Sequence, residues 1–365
     1  MESRSLLIAG AAWLLAAGVW LDRALPEDNA EAAVVFESDR DGGGIFATDG
    51  VGGAARALFR GEYGFAPTVS PDGKRVAFVG VREEDMATLE RFDLSMHFLL
   101  YVVGIDGTGL ALLTKTPVAA GSVRWSPDGR SIVFLSAYED ARNAGKDGLV
   151  SSAVYRIDST GEHEKRLTDV DGLHLDPSWS PDGMRLLFVS QRSPVFTAPS
   201  TLVVMRADGS EPGPVTREEV GVFAARWSPD GTKIAYQVSA DPSAVPTPTR
   251  IVLIDADGSN RRVVADIAGD LVAWTPDGTG LLLSSQSPRL LDVKLGTAVE
   301  LGKELEGAQI VGFSPDSTRV LFASSRSGNA EICALRIKEG VIENLTHHPA
   351  TDSSPCWVPR GGASK

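Results

Sequence analysis

The chain has 365 residues, of which 43% are hydrophobic and 23% charged, and this composition excludes an intrinsically disordered protein. The formal net charge of −13 gives the whole molecule a field that repels nucleic-acid phosphates. Two cysteines, Cys333 and Cys356, are too few for a disulfide framework and lack the spacing of a structural zinc site. We therefore expect no nucleic-acid partner, no metal and no other cofactor.

An apolar run at residues 6–21 follows Arg4 near the start of the chain. As a helix at ~1.5 Å per residue it is about 24 Å long, which suits a cleaved signal or a short membrane anchor. Arg4 before the run and the acidic body after it favour export of the body. We expect residues 1–22 to be an anchor or signal that contacts the membrane through residues 6–21, and residues 23–32 to be a spacer. The body is then periplasmic or extracellular, anchored to the inner membrane or secreted.

One phrase recurs through the rest of the chain, an apolar residue followed by Ser/Thr-Pro-Asp-Gly. Complete copies start at Val69, Trp125, Trp179, Trp227 and Trp274, and two degenerate copies start at Phe313 and Trp357. The interval of roughly 40 to 55 residues is typical of a β-propeller array.

Four short strands surround each phrase. A strand ends at the apolar residue, and the turn follows because Pro fixes φ, Asp bonds the local backbone and Gly accepts a positive φ. A second strand comes at once, as at residues 185–189, and a third, as at residues 202–206, ends in an Asp-Gly turn. A fourth strand closes with Leu-Thr. Four antiparallel strands per period predict a propeller blade.

The two ends of the repeat region complete one another. Residues 33–59 begin with a second strand, whereas residues 354–358 form a first strand without the other three. Pairing these segments completes one blade and removes an exposed sheet edge. We therefore expect an all-β, seven-bladed propeller of four-stranded antiparallel blades over residues 33–358, with a flexible tail at residues 359–365. Six blades are the alternative, if the copy at Phe313 is not a blade.

These repeats resemble the TolB-type (WD40-like) propeller repeat. The resemblance is carried by Pro-Ser-Trp-Ser-Pro-Asp-Gly at residues 177–183, Arg-Leu-Thr at residues 166–168 and Ser-Asp-Arg-Asp-Gly at residues 38–42. It covers residues 33–358 and implies a propeller of the kind found in periplasmic interaction proteins, peptidase side domains and some carbohydrate-active enzymes. True TolB has an N-terminal α/β domain, for which this chain leaves no room, so we do not expect a member of the Tol system proper.

Two long connections, residues 80–97 and 137–152, are predicted to lie on one face of the propeller and to bind a partner, because function on scaffolded folds concentrates in such loops. The candidate partner-binding residues are Arg82, Glu83, Glu84, Arg91, His97, Tyr138, Asp140 and Arg142.

A second set of polar residues is predicted at the mouth of the central channel. It contains His174, Asp176, Arg192, Arg326, His347 and His348. These side chains have two interpretations, general polarity of the channel mouth or convergence of imidazoles with Asp176 or Asp352 on a metal or catalytic site. The first is expected, so no catalytic or metal residue is assigned. The Asp residues of the repeated turns are expected to cap those turns.

The leading functional hypothesis is a non-catalytic, membrane-tethered interaction scaffold outside the cytoplasm that binds a protein or a cell-envelope component. The alternative is a carbohydrate-active enzyme, a polysaccharide lyase or hydrolase, that acts at the channel mouth with a base and a cation or Arg. A small-ligand sensor, which needs a closed apolar pocket, is a third possibility. A serine peptidase is not expected, because no Gly-x-Ser-x-Gly motif occurs.

Overall fold

A computed structural model describes residues 34–49, 55–61, 63–82, 98–119, 121–136, 152–169, 172–191, 199–217, 219–239, 249–267 and 269–359. Within these ranges the chain is mostly β-strand, and its helices are two short 3-10 turns, Arg40–Gly42 and Lys303–Leu305. The strands form seven antiparallel sheets, which are the blades of an all-β, seven-bladed β-propeller. The fold predicted from the repeat is therefore confirmed.

Each blade is built on four strands. Blade 1 contains β1 (Val34–Ser38), β2 (Gly44–Thr48), β3 (Arg56–Arg60) and, from the far end of the chain, β29 (Asp352–Trp357). Blade 2 contains β4 (Tyr63–Val69), β5 (Arg75–Val81), β6 (Leu99–Gly104) and β7 (Ala111–Leu112). Blade 3 contains β8 (Arg124–Trp125), β9 (Ser131–Ser136), β10 (Ala153–Asp158) and β11 (Lys165–Arg166).

Blade 4 adds a fifth, short strand to this plan. It contains β12 (Leu173–Trp179), β13 (Arg185–Gln191), β14 (Pro199–Arg206), β15 (Gly213–Pro214) and β16 (Glu219–Val220). Blade 5 contains β17 (Val222–Trp227), β18 (Lys233–Ser239), β19 (Thr249–Asp255) and β20 (Arg262–Asp266). Blade 6 contains β21 (Asp270–Trp274), β22 (Gly280–Ser284), β23 (Arg289–Asp292) and β24 (Ala298–Glu300), and blade 7 contains β25 (Gln309–Phe313), β26 (Arg319–Ser324), β27 (Glu331–Arg336) and β28 (Val341–Asn344).

Blade 1 joins the two ends of the repeat region. Val34 of β1 pairs with Trp357 of β29, and Ser38 pairs with Asp352. The pairing covers the backbone edge of β1, which would otherwise be free to pair with another chain. The copy that starts at Phe313 also has its own four-stranded sheet, blade 7. Both parts of the closure prediction are confirmed, and the six-bladed alternative is wrong.

The Asp of each repeated turn is held locally, as expected. In blade 4 the Ser180 hydroxyl donates to Asp182 Oδ1 at 2.5 Å, and the Met184 N–H donates to the same oxygen at 2.9 Å. Gly183 has a φ of 71°, a conformation that glycine adopts without strain. The same hydroxyl-to-carboxylate bond is made by Asp72, Asp128, Asp230, Asp277 and Asp316. These carboxylates therefore cap turns.

Two compact units make up the chain. The first contains blades 1, 2 and 7 together with β8, and the second contains blades 4, 5 and 6 with the remainder of blade 3. In the first unit, Val35, Phe78 and Tyr101 belong to one buried apolar cluster, and Phe36 and Trp357 belong to another. In the second unit, buried clusters form around Trp227 and around Trp274. The tryptophans of the repeat are therefore core residues.

Both cysteines are free thiols, and burial raises the pKa of each to about 11. No helix within the described ranges is long and apolar enough to cross a membrane. The segments predicted to be an anchor or signal and a spacer, and the tail beyond residue 359, lie outside the described residues.

Candidate functional site

A cavity of about 300 Å³ opens within the first unit, where β1 ends and β4 and β29 begin. This volume is at the lower end of the range for small-molecule pockets, about 300 to 1,000 Å³. The lining residues are Glu37, Ser38, Asp39, Gly42, Gly43, Gly44, Gly64, Phe65, Thr351 and Ser353. We call this cavity the Glu37 pocket.

Glycines shape one side of the Glu37 pocket, because the chain turns sharply between β1 and β2. Gly42 and Gly43 have φ values of 91° and 92°, in the region that side chains rarely adopt. A Cβ on Gly44 would lie 2.1 Å from the carbonyl oxygen of Phe59, so only glycine fits there. These three glycines therefore present backbone rather than side chains to the pocket.

Glu37 brings a partly buried carboxyl group to the pocket. It lies on β1 beside a register shift, opposite Ile45 on one side and Ser353 on the other. Burial raises the pKa of Glu37 above its ordinary value, although hydrogen bonds from the Ser354 hydroxyl and the Ala66 backbone lower it. A carboxyl group with a raised pKa keeps its proton to a higher pH, which is the property of a general acid.

Asp39 supplies a second carboxylate, two residues further on. Glu37 and Asp39 flank the last residue of β1, so their Cα atoms are about 6.6 Å apart. Asp39 Oδ1 accepts the backbone N–H of Thr351 at 2.8 Å, and the Asp39 N–H donates to the Thr351 carbonyl at 3.2 Å. Because its backbone and carboxylate are both held while the side chain stays exposed, Asp39 is fixed at the rim of the pocket.

Phe65 forms an aromatic wall of the pocket. Its ring is half-buried and meets the ring of Phe98 edge to face, with 5.1 Å between centroids and an interplanar angle of 72°. Rigid aromatic rings give a pocket contact area at small entropic cost, and their faces pack on the apolar faces of flat ligands.

Arg40 follows Asp39 in the chain and is not one of the lining residues of the pocket. Its Nη2 donates to both carboxylate oxygens of Asp352, at 2.8 and 2.6 Å, and its Nε donates to the Ser38 hydroxyl at 2.8 Å. The side chains of Arg40 and Asp352 are 7% and 0% exposed. The cation is therefore engaged in a structural ion pair.

His174, one of the predicted channel-mouth residues, is buried in the second unit. Its Nε2 lies 3.3 Å from the Asp169 carbonyl, and its ring meets Phe188 edge to face at 5.1 Å. Its Nδ1 has no hydrogen-bond partner among the described residues. Burial lowers the pKa of His174, as does the nearby charge of Arg166, while the bond to Asp169 raises it.

The other described residues of that set have separate surroundings. The carboxylate of Asp176 is bound by Arg226 Nη1 at 2.5 Å. In the first unit, the His348 N–H donates to Glu331 Oε1 at 3.1 Å and His348 Nδ1 accepts the Ala350 N–H at 3.1 Å. His347 and Arg326 are exposed. No three metal-ligating side chains of the described residues form a group, so the described part of the set shows no metal centre.

Most of the predicted partner-binding residues lie outside the described ranges. Arg82 is described, and its guanidinium carbon lies 5.3 Å from the centroid of the Tyr101 ring. The residues outside the described ranges are Glu83, Glu84, Arg91, His97, Tyr138, Asp140 and Arg142, together with Arg192 of the channel-mouth set. Both sets of site residues stay predictions.

Glu37 was missed by the sequence analysis, although the repeat contained a signal for it. β1 is the second strand of blade 1, and the residue before its last position is Glu37. When the second strands are aligned on the residue that pairs with the leading apolar residue of each repeat, as Val34 pairs with Trp357, the other blades have Val79, Leu135, Val189, Gln237, Ser284 and Ala323 at this place. A carboxyl group where the other six blades have an uncharged residue marks a site with a special environment.

No family model matches the chain, and its curated relatives are partial matches. It is 29% identical over 163 residues to the uncharacterized protein Atu1656 of Agrobacterium fabrum, covering 42% of this chain and 50% of that one. It is 25% identical over 194 residues to the uncharacterized peptidase YuxL of Bacillus subtilis, covering 51% and 28%. It is 25% identical over 267 residues to dipeptidyl-peptidase 5 of Porphyromonas endodontalis, covering 68% and 36%. The chain thus spans at most half the length of these relatives.

Solved structures of the same fold include both enzymes and TolB. An oligogalacturonate lyase in complex with manganese has a TM-score of 0.67 at 14% identity, covering 91% of this chain and 90% of that one. A puromycin-hydrolysing peptidase of Mycobacterium tuberculosis has a TM-score of 0.61 at 17% identity, covering 92% and 55%. TolB of Acinetobacter baumannii has a TM-score of 0.53 at 16% identity, covering 91% and 68%. The chain is a TolB-like seven-bladed propeller.

The leading functional hypothesis of the sequence analysis was wrong. A non-catalytic scaffold conflicts with similarity to a lyase and to peptidases in structure, and with relatives named as peptidases in sequence. The enzymatic alternative agrees better with these similarities. The reason for the error is physical, because a propeller repeat specifies the framework and leaves the chemistry to side chains outside the repeat pattern.

Proposed function

We propose that the chain is a carbohydrate-active propeller enzyme that cleaves a glycosidic bond in the Glu37 pocket. One observation carries the proposal: a partly buried carboxyl group with a raised pKa, Glu37, and an exposed carboxylate, Asp39, line the same cavity. Two carboxyl groups in unlike environments are the arrangement that divides the roles of acid and base.

Lyases and hydrolases share one requirement that this pair meets. In both reactions the bond to the glycosidic oxygen breaks, its electron pair goes to that oxygen, and an acid supplies a proton there. Glu37 has the raised pKa for that role. Asp39 accepts the other proton, which comes from water in hydrolysis and from a sugar carbon in elimination.

The similarity to an oligogalacturonate lyase supports the proposal, because it extends over about nine-tenths of both chains. The peptidase relatives point to a second candidate, in which the propeller belongs to a peptidase. That candidate needs a nucleophilic Ser or Cys activated by a base such as His, and the lining of the Glu37 pocket includes Ser38 and Ser353 but no Cys or His.

The proposal includes a site of action outside the cytoplasm. The apolar run at residues 6–21 with Arg4 before it, and the TolB-like fold, support export. A fusion of residues 1–32 to a reporter enzyme that is active only after export is expected to give activity, and deletion of residues 6–21 from the fusion is expected to remove it. An equally active deletion would contradict this part.

The experiment for the activity uses the full chain and a panel of polysaccharides, with new reducing ends as the readout. Cleavage of at least one glycan is expected, and Glu37→Gln and Asp39→Asn are each expected to lower kcat about 100-fold or more. The matched control is Asp41→Asn, which changes an exposed carboxylate paired with Arg60 and outside the pocket lining. The control is expected to keep full activity.

Two results would overturn the proposed function. The first is absence of cleavage across the panel, and hydrolysis of aminoacyl or dipeptidyl substrates by the same protein would then favour the peptidase candidate. The second is a folded Glu37→Gln variant that cleaves glycan as fast as the unchanged protein.

A further inference from the structure

The Glu37 pocket has an unbalanced set of charges. The described residues that line it include two with carboxyl groups, Glu37 and Asp39, and none is Lys or Arg. The other groups on the lining are hydroxyls, backbone and the Phe65 ring.

Two arginines adjoin the lining residues, Arg40 next to Asp39 in the chain and Arg60 opposite Gly44 in the sheet, and neither compensates for these carboxyl groups. The guanidinium of Arg40 donates hydrogen bonds to both carboxylate oxygens of Asp352 and to the Ser38 hydroxyl. Arg60 is paired with Asp41 at 3.1 Å on the surface. Each of these arginines is matched by one carboxylate outside the lining, so the negative charge of Asp39 at the rim of the pocket remains while Glu37 carries its proton.

This charge discriminates between glycans. A uronate polymer has a carboxylate on each residue, and the carboxylate of Asp39, exposed at the rim, repels like charges that come close to it. A neutral sugar has hydroxyls for the polar lining and an apolar face for the ring of Phe65. The pocket therefore favours a ligand without carboxylates.

The same lining bears on the reaction type. Elimination in a uronate removes a proton from the carbon beside the carboxylate, and the negative charge that develops there needs a cation or several donors to stabilise it. Hydrolysis needs no cation for this purpose, because the charge that develops on the sugar ring is positive and carboxylates stabilise it.

We propose that the Glu37 pocket binds a segment of an uncharged polysaccharide and that the cleavage there is hydrolysis; this inference rests on the proposed function. Glu37 gives its proton to the glycosidic oxygen as the bond from that oxygen to the anomeric carbon breaks. Water attacks the anomeric carbon and passes a proton to Asp39. The products are two shorter glycans, and proton exchange with solvent restores both carboxyl groups.

The test uses pairs of polymers that share a backbone and differ in charge, namely polyuronates and their carboxyl-reduced counterparts, with the full chain. The expected result is that kcat/KM for the uncharged member of a pair exceeds that for the charged member about tenfold or more. The products are expected to show new reducing ends without the ultraviolet absorbance of an unsaturated sugar.

A gain-of-charge variant provides an independent measurement. Thr351 is exposed and lines the pocket, and it binds Asp39 through backbone atoms alone. In a Glu37→Gln background, Thr351→Arg is expected to bind a polyuronate oligomer about tenfold more tightly in calorimetry than Thr351→Gln, which adds length without charge.

Each outcome separates the two proposals. Cleavage of polyuronates with unsaturated products, or equal cleavage of both members of each pair, overturns this inference and leaves the proposed function intact. Absence of cleavage of both members of each pair and of the wider panel overturns the proposed function itself. Preference for the uncharged members with saturated products supports both.

Discussion

Arg40 and Asp352 form a buried two-point ion pair although 312 residues separate them in the chain. The pair lies in blade 1, where β29 joins β1, and the guanidinium also packs 5.0 Å from the Phe36 ring centroid. Arg82 and Arg326 stand at the same place after their second strands, and Arg40 belongs to the Ser-Asp-Arg-Asp-Gly segment at residues 38–42, so this pair shows a structural use for that part of the repeat.

Removal of one partner of this pair is expected to destabilise the protein strongly. Arg40→Met and Asp352→Asn are each expected to lower the free energy of unfolding by about 3 to 5 kcal/mol, because the remaining charge stays buried without its partner. Urea denaturation followed by tryptophan fluorescence measures the change.

The matched control is the exposed pair of Arg60 and Asp41, whose side chains are 58% and 64% exposed. Arg60→Met is expected to cost about 1 kcal/mol or less, since solvent screens such pairs. Equal effects at the two pairs would contradict the assignment of Arg40 to a buried structural role.

Trp357, on the strand that closes blade 1, is also expected to contribute strongly to the stability of the protein. Its side chain is 0% exposed, and the guanidinium carbon of Arg319 lies 4.9 Å from its ring centroid. Trp357→Ala is expected to cost about 3 to 5 kcal/mol through the cavity it leaves. Val299→Ala, at an exposed apolar residue, is the control and is expected to be near neutral. A thermal melt that shifts equally for both variants would show that the closing strand contributes little.

His174 predicts a dependence of stability on pH. Burial lowers the pKa of His174 in the folded state below its unfolded value of about 6.5. The unfolded chain therefore binds more protons as the pH falls, so the full stability is present above about pH 6.5 and is lost as the pH falls towards the folded pKa.

A substitution isolates this contribution. His174→Gln is expected to flatten the dependence of unfolding free energy on pH between about pH 6.5 and 5, measured by urea titrations across that range. His163→Gln is the control, because His163 is 79% exposed and pairs with Asp158 on the surface. If the two variants have the same pH profile, the buried imidazole of His174 is not the group that titrates.

The repeated turns are expected to tolerate loss of a single cap. In blade 6, Asp277 accepts the Thr275 hydroxyl at 2.6 Å and the Thr279 N–H at 3.0 Å, and the Thr275 bond lowers the pKa of Asp277 more than burial raises it. Asp277→Ala is expected to lower stability by about 1 kcal/mol, the usual contribution of such hydrogen bonds. A loss of several kcal/mol in a thermal melt would instead indicate a role beyond the turn.

The architecture could be predicted from the amino-acid sequence. Blade strands and turns depend on local chemistry, namely the apolar alternation and the Ser/Thr-Pro-Asp-Gly phrase, so the period of the phrase was enough to number the blades. The pairing of β1 with β29 could also be predicted by counting strands. The N-terminal blade lacked a first strand, and the C-terminal segment was a first strand without the other three.

The chemistry of the candidate site, by contrast, depends on contacts between segments that are far apart in the chain. Glu37 and Asp39 lie near the start of the chain, whereas Thr351 and Ser353, which complete the same pocket, lie near its end. The raised pKa of Glu37 depends on burial, and the neutralisation of Arg40 depends on Asp352, neither of which sequence spacing reports. Burial and charge pairing are properties of residues that are distant in the chain and adjacent in space, which is why the repeat predicted the blades and did not reveal the pocket between their strands.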